Sequence, residues 1–186
     1  MRNLELFSTA PVDHLLWSSK PCQSYLDASA LELFTDFDTS RPIVVDTSTT
    51  AVGTLKIMEH THSDMRLVVD KNDQFVGVIT EQELLQRKLL VKAKENHVTI
   101  NELLVTEVMI PRESLLALDY KQLEKAKVRD IVATLQESGL QHVLVVDRDT
   151  HHIRGLIAAN DVQRKLYVSV EINQQPSFGK LYSASH

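Results

Sequence analysis

Two short segments carry the side chains best suited to bind a ligand, and each begins with a glycine and two apolar residues. These segments are 77–83 and 155–161. In the first, Thr80 and Glu83 have the spacing of a capping box, which satisfies the first amides of a helix without any ligand. In the second, Asp161 would place negative charge in a first helical turn, which is stabilising by itself. A carboxylate there is also short and ionised, so it can accept two hydrogen bonds from a ligand.

The histidines and the cysteine are the other candidates for chemistry. The pairs His60-x-His62 and His151-His152 could ligate a metal ion, but zinc sites normally combine more Cys and His ligands at fixed spacing. Cys22 has no histidine close to it in the sequence that could act as its base, so we do not expect it to act as a nucleophile. The five glycines supply neither a Gly-x-Ser-x-Gly motif nor a phosphate-binding loop. We therefore expect neither a metal site nor enzymatic activity.

Composition limits the class of protein. The chain has 186 residues, of which 43% are hydrophobic, and this suits one ordinary domain or two small ones with a buried core. The net charge is −5, and residues 1–40 hold two basic residues against six acidic ones, so nucleic-acid binding is not expected. No run approaches 18 apolar residues, so no membrane span is predicted. The single cysteine favours the reducing cytoplasm.

The apolar periods divide most of the chain into two similar halves. Strands are predicted at 43–45, 67–70, 75–79, 115–118, 143–146 and 153–157. Helices are predicted from about 51 to 60, 81 to 96, 128 to 138 and 161 to 168. The apolar face of the second helix consists of Leu84, Leu85, Leu89 and Leu90. The third helix is expected to end at Gly139 in a left-handed cap.

An internal duplication relates the two halves. A shift of 77 residues aligns 51–73 with 128–150, and one inserted residue then sets Gly77 on Gly155. Helix, strand, turn and strand coincide in the two copies, which is the signature of a repeated structural unit.

The segments that carry the repeat read MRLVVDKNDQFVGVITEQEL at 65–84 and HVLVVDRDTHHIRGLIAANDV at 142–162, with a leader VTEVMIP at 105–111. Together they resemble the cystathionine-β-synthase (CBS) domain pair over about residues 41–168. The resemblance implies an α+β fold in which two β-α-β-β-α motifs pack through their sheets as one pseudo-twofold module. The chain is thus expected to comprise a first motif (41–97) and a leader with the second motif (98–170). Outside the resemblance, the residue pattern predicts an N-terminal arm (1–40) and a weakly ordered tail (171–186).

This resemblance implies regulation rather than catalysis. It predicts binding of an adenosine-containing ligand, such as AMP, ADP, ATP or S-adenosylmethionine, in clefts between the two motifs. It also predicts a homodimer formed through the helices, an unknown regulated protein as partner and no obligatory cofactor.

The family pattern Gly-apolar-apolar-Thr/Ser-x-x-Asp assigns the expected site residues. Its Asp accepts hydrogen bonds from both ribose hydroxyls, and its hydroxyl joins a helix N-terminus that favours phosphate. The second repeat keeps the acid as Asp161 but has Ala158 in place of the hydroxyl, whereas the first keeps Thr80 and lengthens the acid to Glu83. We therefore expect ribose binding at Asp161 and a phosphate near Thr80. The remaining residues of the expected site are His142 and Val143 beside the base, and Lys121 from a basic cluster as a compensating phosphate contact.

Two other interpretations stay open. The division of Thr and Asp between the repeats also fits a ligand-free dimerisation or interaction scaffold with degenerate clefts, and the many leucines of the helix predicted from Glu81 fit a dimer interface. The segment Met109-Ile110-Pro111-Arg112 resembles the Met-x-Pro-Arg segment of CBS-containing ion-efflux accessory proteins. We rank this last interpretation lowest because the segment lies between the repeats.

Overall fold

Two four-stranded sheets form the centre of the fold. A computed structural model describes residues 25–166, with side chains through 164, so the predictions for Cys22 and for the tail lie outside the described residues. The strands are β1 (Thr35–Asp36), β2 (Val44–Asp46), β3 (Met65–Val69), β4 (Phe75–Thr80), β5 (Ile110–Pro111), β6 (Ala117–Asp119), β7 (His142–Asp147) and β8 (His152–Ala158). The helices are α1 (Ala51–Thr61), α2 (Gln86–Glu95), α3 (Tyr120–Leu123), α4 (Val128–Ser138) and α5 (Ala159–Leu166).

The two sheets have the same topology, which confirms the predicted duplication. Their strand orders are β2-β3-β4-β5 and β6-β7-β8-β1, and in each the first pair is parallel and the others are antiparallel. Helices α1 and α4 have 11 residues each and are related by the predicted shift. The hairpins carry a bulge at equivalent places, between Val68 and Val69 in β3 and between Val145 and Val146 in β7. The predicted α+β architecture of two similar motifs is therefore confirmed.

Each sheet is completed by a short strand from the segment that precedes the other motif. β5, which precedes the second motif, pairs with β4 of the first, and β1, which precedes the first motif, pairs with β8 of the second. Backbone hydrogen bonds outside the strands join the same segments to the same motifs. Segment 103–105 bonds with 49–51 of the first motif, and segment 28–30 bonds with 126–128 of the second, at N···O distances from 2.7 to 3.0 Å. Residues 28–36 of the predicted arm thus pack in the second half of the molecule.

The exchanged strands explain why the two equivalent positions are glycines. A Cβ on Gly77 would lie 2.5 Å from the carbonyl oxygen of Ile110, and a Cβ on Gly155 would lie 2.1 Å from that of Thr35. Any larger residue would therefore push the exchanged strand away from the sheet. Gly139 has a different role, since it ends α4 in the left-handed conformation (φ 68°), as predicted.

Three apolar clusters hold these elements together. One lies between the first sheet and its helices, another between the second sheet and its helices, and the third between the inner faces of the two sheets. Their central residues are, in this order, Met58 and Ile79, Ile131 and Ile157, and Leu67 and Leu144. The two motifs therefore pack sheet against sheet, as the resemblance implied.

Several element boundaries differ from the prediction: β3 begins at Met65 instead of residue 67, and α5 begins at Ala159 instead of residue 161. Helix α2 begins at Gln86 rather than Glu81, because residues 80–84 form turns in which Leu84 reaches the core with an exposure of 2%. Leu85 then adopts an extended conformation (ψ 131°) before the helix starts. The strand predicted at 115–118 begins only at Ala117, because Leu115 packs in the cluster between the sheets.

Candidate functional site

Helix α5 begins where β8 ends, and this brings Asp161 to the edge of the second sheet. Ala159, the first residue of α5, donates its N–H to the carbonyl oxygen of Gln141 at 2.8 Å, which ties the helix start to the residue before β7. Asp161 lies in the first turn, where the positive end of the helix stabilises its charge. Its side chain is 31% exposed and accepts a hydrogen bond from the guanidinium of Arg164. The carboxylate is therefore accessible to a ligand that displaces Arg164 or shares Asp161 with it.

His142 lies beside Asp161 at this end of the sheet. It pairs with Ala158 across β7 and β8. Its Nδ1 atom is buried and has no hydrogen-bond partner within the described part of the chain. Burial lowers the pKa of His142 below its ordinary value of 6.5, although the charges of Asp64 and Asp161 partly oppose this. The imidazole is thus neutral at pH 7, and it presents an unused polar atom.

The first motif contributes Asp64 to the same place. Its carboxylate accepts a hydrogen bond from the side-chain amide of Asn160 in α5, so this contact joins the two motifs. A shallow, open depression of ≈ 340 Å³ lies here, and it is lined by His62, Asp64, Asn160, Gln163 and Arg164. A polar cleft between the motifs therefore adjoins Asp161.

Val143 contributes no apolar surface to the cleft, whereas Leu116, just before the neighbouring strand, is exposed. The side chain of Val143 belongs to the core of the second motif and is only 4% exposed, so it does not face the cleft. Leu116, by contrast, is 68% exposed and directly precedes β6, which pairs with β7 in parallel from Ala117↔Leu144 onwards. Continued by one residue, this register places Leu116 opposite Val143 of β7. The sequence holds only a weak signal for Leu116, because its exposure depends on where β6 begins.

The equivalent end of the first sheet is built differently. Thr80 donates its hydroxyl hydrogen to the carboxylate of Glu83, which also accepts a hydrogen bond from Lys88 at 3.0 Å. Because α2 begins at Gln86 and has no side-chain cap, Thr80 and Glu83 do not form the predicted capping box. Thr80 therefore lies away from the free N–H groups of a helix start, which are the groups that would bind a phosphate.

Comparison with known proteins identifies the fold to which this site belongs. No curated protein matches the sequence at a significant level. Residues 34–89, however, match the family model of the CBS domain. CBSX2 from Arabidopsis thaliana, in complex with AMP, is 21% identical with a TM-score of 0.54, and the match covers 75% of this chain and 96% of that one. The chain carries a CBS domain and has the fold of a CBS pair.

Two further solved structures share the fold of this CBS pair. An uncharacterized conserved protein from Pyrococcus horikoshii is 15% identical with a TM-score of 0.56, over 75% of this chain and 92% of its own. The CBS domain pair of protein MJ0100, in complex with 5′-methylthioadenosine and S-adenosyl-L-methionine, is 18% identical with a TM-score of 0.52. That match covers 75% of this chain and 96% of the other. At these identities the likeness establishes the fold.

Within the CBS pair, Lys121 lies far from the cleft. β6 and β7 run parallel, so Lys121, which follows β6, lies at the end of β7 opposite to His142. There it forms an ion pair with Asp149 in the turn before β8. At about 3.3 Å per residue, the two ends of β7 are roughly 17 Å apart. The structure thus brings together Asp161, His142 and Ala158 but separates Lys121 from them.

The two histidine pairs considered as metal ligands lie at exposed positions of the CBS pair. His62 ends α1 in a left-handed conformation, and His151 and His152 lie at the β7–β8 turn. Within residues 25–166, no three His, Cys, Asp or Glu side chains form a group that could hold a metal ion. Over the same range, no helix combines the length and the apolar character needed to cross a membrane.

Proposed function

We propose that this CBS pair is a regulatory module, without catalytic activity, that binds an adenosine-containing ligand in the cleft beside Asp161. The observation that carries the proposal is the position of Asp161 in the first turn of α5, partly exposed and next to His142 between the motifs. A short ionised carboxylate can accept hydrogen bonds from the two neighbouring hydroxyls of a ribose. We place the module in the cytoplasm because the chain has a single cysteine.

Features around Asp161 fit the remainder of an adenosine. The buried Nδ1 atom of His142 has no hydrogen-bond partner among the residues that the structure describes, and such an atom is normally satisfied by a protein group, a water or a ligand. Leu116 supplies apolar surface for a purine ring on the next strand, and the polar groups of the adjoining depression fix orientation. AMP in the CBSX2 complex and the two adenosine compounds in the MJ0100 complex support the same ligand class.

The cleft can couple a ligand to the arrangement of the two motifs. Asp64 belongs to the first motif, whereas Asn160, Asp161 and His142 belong to the second, and the Asn160–Asp64 hydrogen bond crosses between them. A ligand that binds these groups in one arrangement better than in another shifts the equilibrium between the arrangements. The partner surface that changes with it would carry the regulatory signal.

A thermal-shift panel tests this function directly. The ligands are adenosine, 5′-methylthioadenosine, S-adenosylmethionine, AMP, ADP, ATP and NAD, each with the full chain. A bound ligand at ~100 times its dissociation constant stabilises the fold by roughly 2.7 kcal/mol, which raises the midpoint by several degrees. The shift should disappear in Asp161→Ala and persist in Asp149→Ala, which removes an exposed carboxylate from the opposite end of the sheet. A flat response to the whole panel would overturn the proposal.

A specific surface feature favours a second candidate function, a homodimerisation scaffold. On the helix-bearing face of the first motif, several large apolar side chains are 38–57% exposed, namely Ile57, Leu85, Leu90 and Val91. Of these residues, Ile57 lies in α1, whereas the exposed residues of α4, which is the counterpart of α1 in the second motif, are mostly polar or charged. A second copy that packs its first motif against this face would bury the apolar side chains.

Light scattering after size-exclusion chromatography tests the dimer. The wild-type chain should elute as a dimer at micromolar concentration, and Leu90→Glu should shift it to a monomer because the charge would be buried in the interface. Ala133→Glu, an equivalent change on exposed α4, should leave the dimer intact. A monomeric wild-type chain would contradict the dimer and leave ligand binding untouched.

A further inference from the structure

The charge of the cleft beside Asp161 indicates which adenosine compounds it selects. Among the side chains that line the depression, Asp64 and Arg164 carry formal charges. Arg164 is already paired with Asp161, while Asp64 is bonded to the neutral amide of Asn160. Once Asp161 and Arg164 compensate each other, the half-buried carboxylate of Asp64 leaves the cleft with an excess negative charge.

None of three described basic side chains, Arg66, Lys121 and His142, neutralises the negative charge of Asp64. Arg66 follows two residues later, but it points to the helix side of its sheet, where it donates to the Oγ1 atom of Thr61 at 2.6 Å. Lys121 is paired with Asp149 at the far end of the sheet. His142 is half-buried, and the desolvation of its ring lowers its pKa, which keeps it neutral at pH 7. The described residues therefore give a net negative potential at a ligand in the cleft.

Apart from Arg164, which is paired with Asp161, the described residues offer no free group for a phosphate at the starts of the two equivalent helices. Ala158, the last residue of β8, has no hydroxyl to donate at the start of α5. The positive end of α5 already stabilises Asp161, and a second anion beside that carboxylate would be repelled. In the first motif, the hydroxyl of Thr80 is bonded to Glu83, away from any helix start.

We propose that this cleft discriminates against 5′-phosphates, and that its ligand is an adenosine derivative with an uncharged or cationic 5′ substituent, such as a thioether or a sulfonium. This inference rests on the proposed function. Asp161 binds the ribose in every such compound. The negative charge of Asp64 determines whether a charged 5′ substituent is attracted or repelled. A thioether pays no electrostatic penalty beside Asp64, a sulfonium is attracted to it, and a phosphate is repelled.

Isothermal titration at low salt compares three probes that differ at the 5′ position: 5′-methylthioadenosine, S-adenosylmethionine and AMP. We expect AMP to bind at least about tenfold more weakly than 5′-methylthioadenosine, a ratio set by like-charge repulsion in a partly buried site. Higher salt should narrow the difference, because it screens the repulsion.

Two isosteric variants identify the residue responsible. Asp64→Asn keeps an acceptor for Asn160 and removes the charge, so AMP should gain about fivefold in affinity while 5′-methylthioadenosine changes by less than about twofold. Asp73→Asn makes the same change in net charge at the tip of the β3–β4 hairpin, at the other end of β3, and Asn tolerates its positive φ of 58°. That control should alter neither affinity.

The outcomes separate this inference from the proposed function. If AMP binds as tightly as 5′-methylthioadenosine or more tightly, the inference is overturned while the proposed function stands. If Asp64→Asn changed the affinities for AMP and 5′-methylthioadenosine equally, the inference would also be overturned, because Asp64 would then not discriminate between ligands by the charge of their 5′ substituents. If none of the three compounds binds, both fail.

Discussion

The ends of the two sheets differ although the motifs that build them are duplicates. In the second motif, β8 passes directly into α5, and Asp161 lies in the first helical turn. In the first motif, five residues separate β4 from α2, and Glu83 lies in a turn, bonded to Thr80 and Lys88. One end therefore presents a carboxylate to a cleft, while the other uses its carboxylate to close its own turn.

Both motifs nevertheless place a buried apolar side chain at the residue that follows the candidate carboxylate. Leu84 and Val162 occupy equivalent positions and are 2% and 0% exposed. The core thus demands an apolar side chain at this point but does not dictate whether the preceding residues form a helix or a turn. A duplicated scaffold can in this way keep its packing while one of its two clefts loses the groups that bind a ligand.

The largest predicted effect comes from the glycines against which the exchanged strands pack. Gly155→Ala should lower the free energy of unfolding by about 3 kcal/mol, since its Cβ would overlap the backbone of β1. Gly77→Ala should cost somewhat less, because the approach of β5 is less close. Chemical denaturation measures both.

The control for these substitutions is Gly53→Ala in α1. Its Cβ would meet only side-chain atoms of Thr49 and Thr50, so we expect a change within about 1 kcal/mol. Equal effects at all three glycines would show that the exchanged strands do not restrict the two equivalent positions.

A smaller effect should distinguish the starts of the equivalent helices α1 and α4. The side chain of Thr50 accepts a hydrogen bond from the N–H of Gly53, so Thr50→Ala should destabilise the fold by about 1 kcal/mol. α4 has no side-chain cap at Lys127, but the carboxylate of Asp130 reaches back to the N–H of Lys127 at 2.8 Å. Asp130→Ala should therefore cost about half as much, in the same denaturation experiment. The reverse order would contradict this account of the two helix starts.

The smallest predicted effect is on the pH dependence of stability, and it arises from His142. This residue lies at the start of β7, where the equivalent residue of β3 is Met65. The folded pKa of His142 lies below its unfolded value of 6.5, so below pH 6.5 the unfolded chain binds a proton that the folded chain excludes. Its contribution to stability is thus present above pH 6.5 and is lost as the pH falls toward the folded pKa. His142→Met should flatten the fall in stability between about pH 7.5 and 5.5. Identical pH slopes would disprove this role for burial.

The duplication and the fold could be predicted because they depend on local patterns. The glycine that follows each Val-Asp strand end, the apolar period of α1 and α4 and the cap at Gly139 are all visible in the sequence. The site could be predicted only in part. The turn at Thr80 and Glu83 has the sequence of a capping box, and only the burial of Leu84 against the first sheet decides between turn and helix. The exchanged strand β1 and the distance of Lys121 from Asp161 depend on tertiary pairing, which spacing along the chain does not encode.

The central claim is that one cleft, beside Asp161, binds an adenosine compound and that its duplicate beside Glu83 does not. The most direct measurement is a calorimetric titration of 5′-methylthioadenosine into the wild-type chain and into Asp161→Ala and Glu83→Ala. We predict a single site per chain, lost in Asp161→Ala and retained in Glu83→Ala. Binding that survives Asp161→Ala, or that disappears in Glu83→Ala alone, would contradict the account.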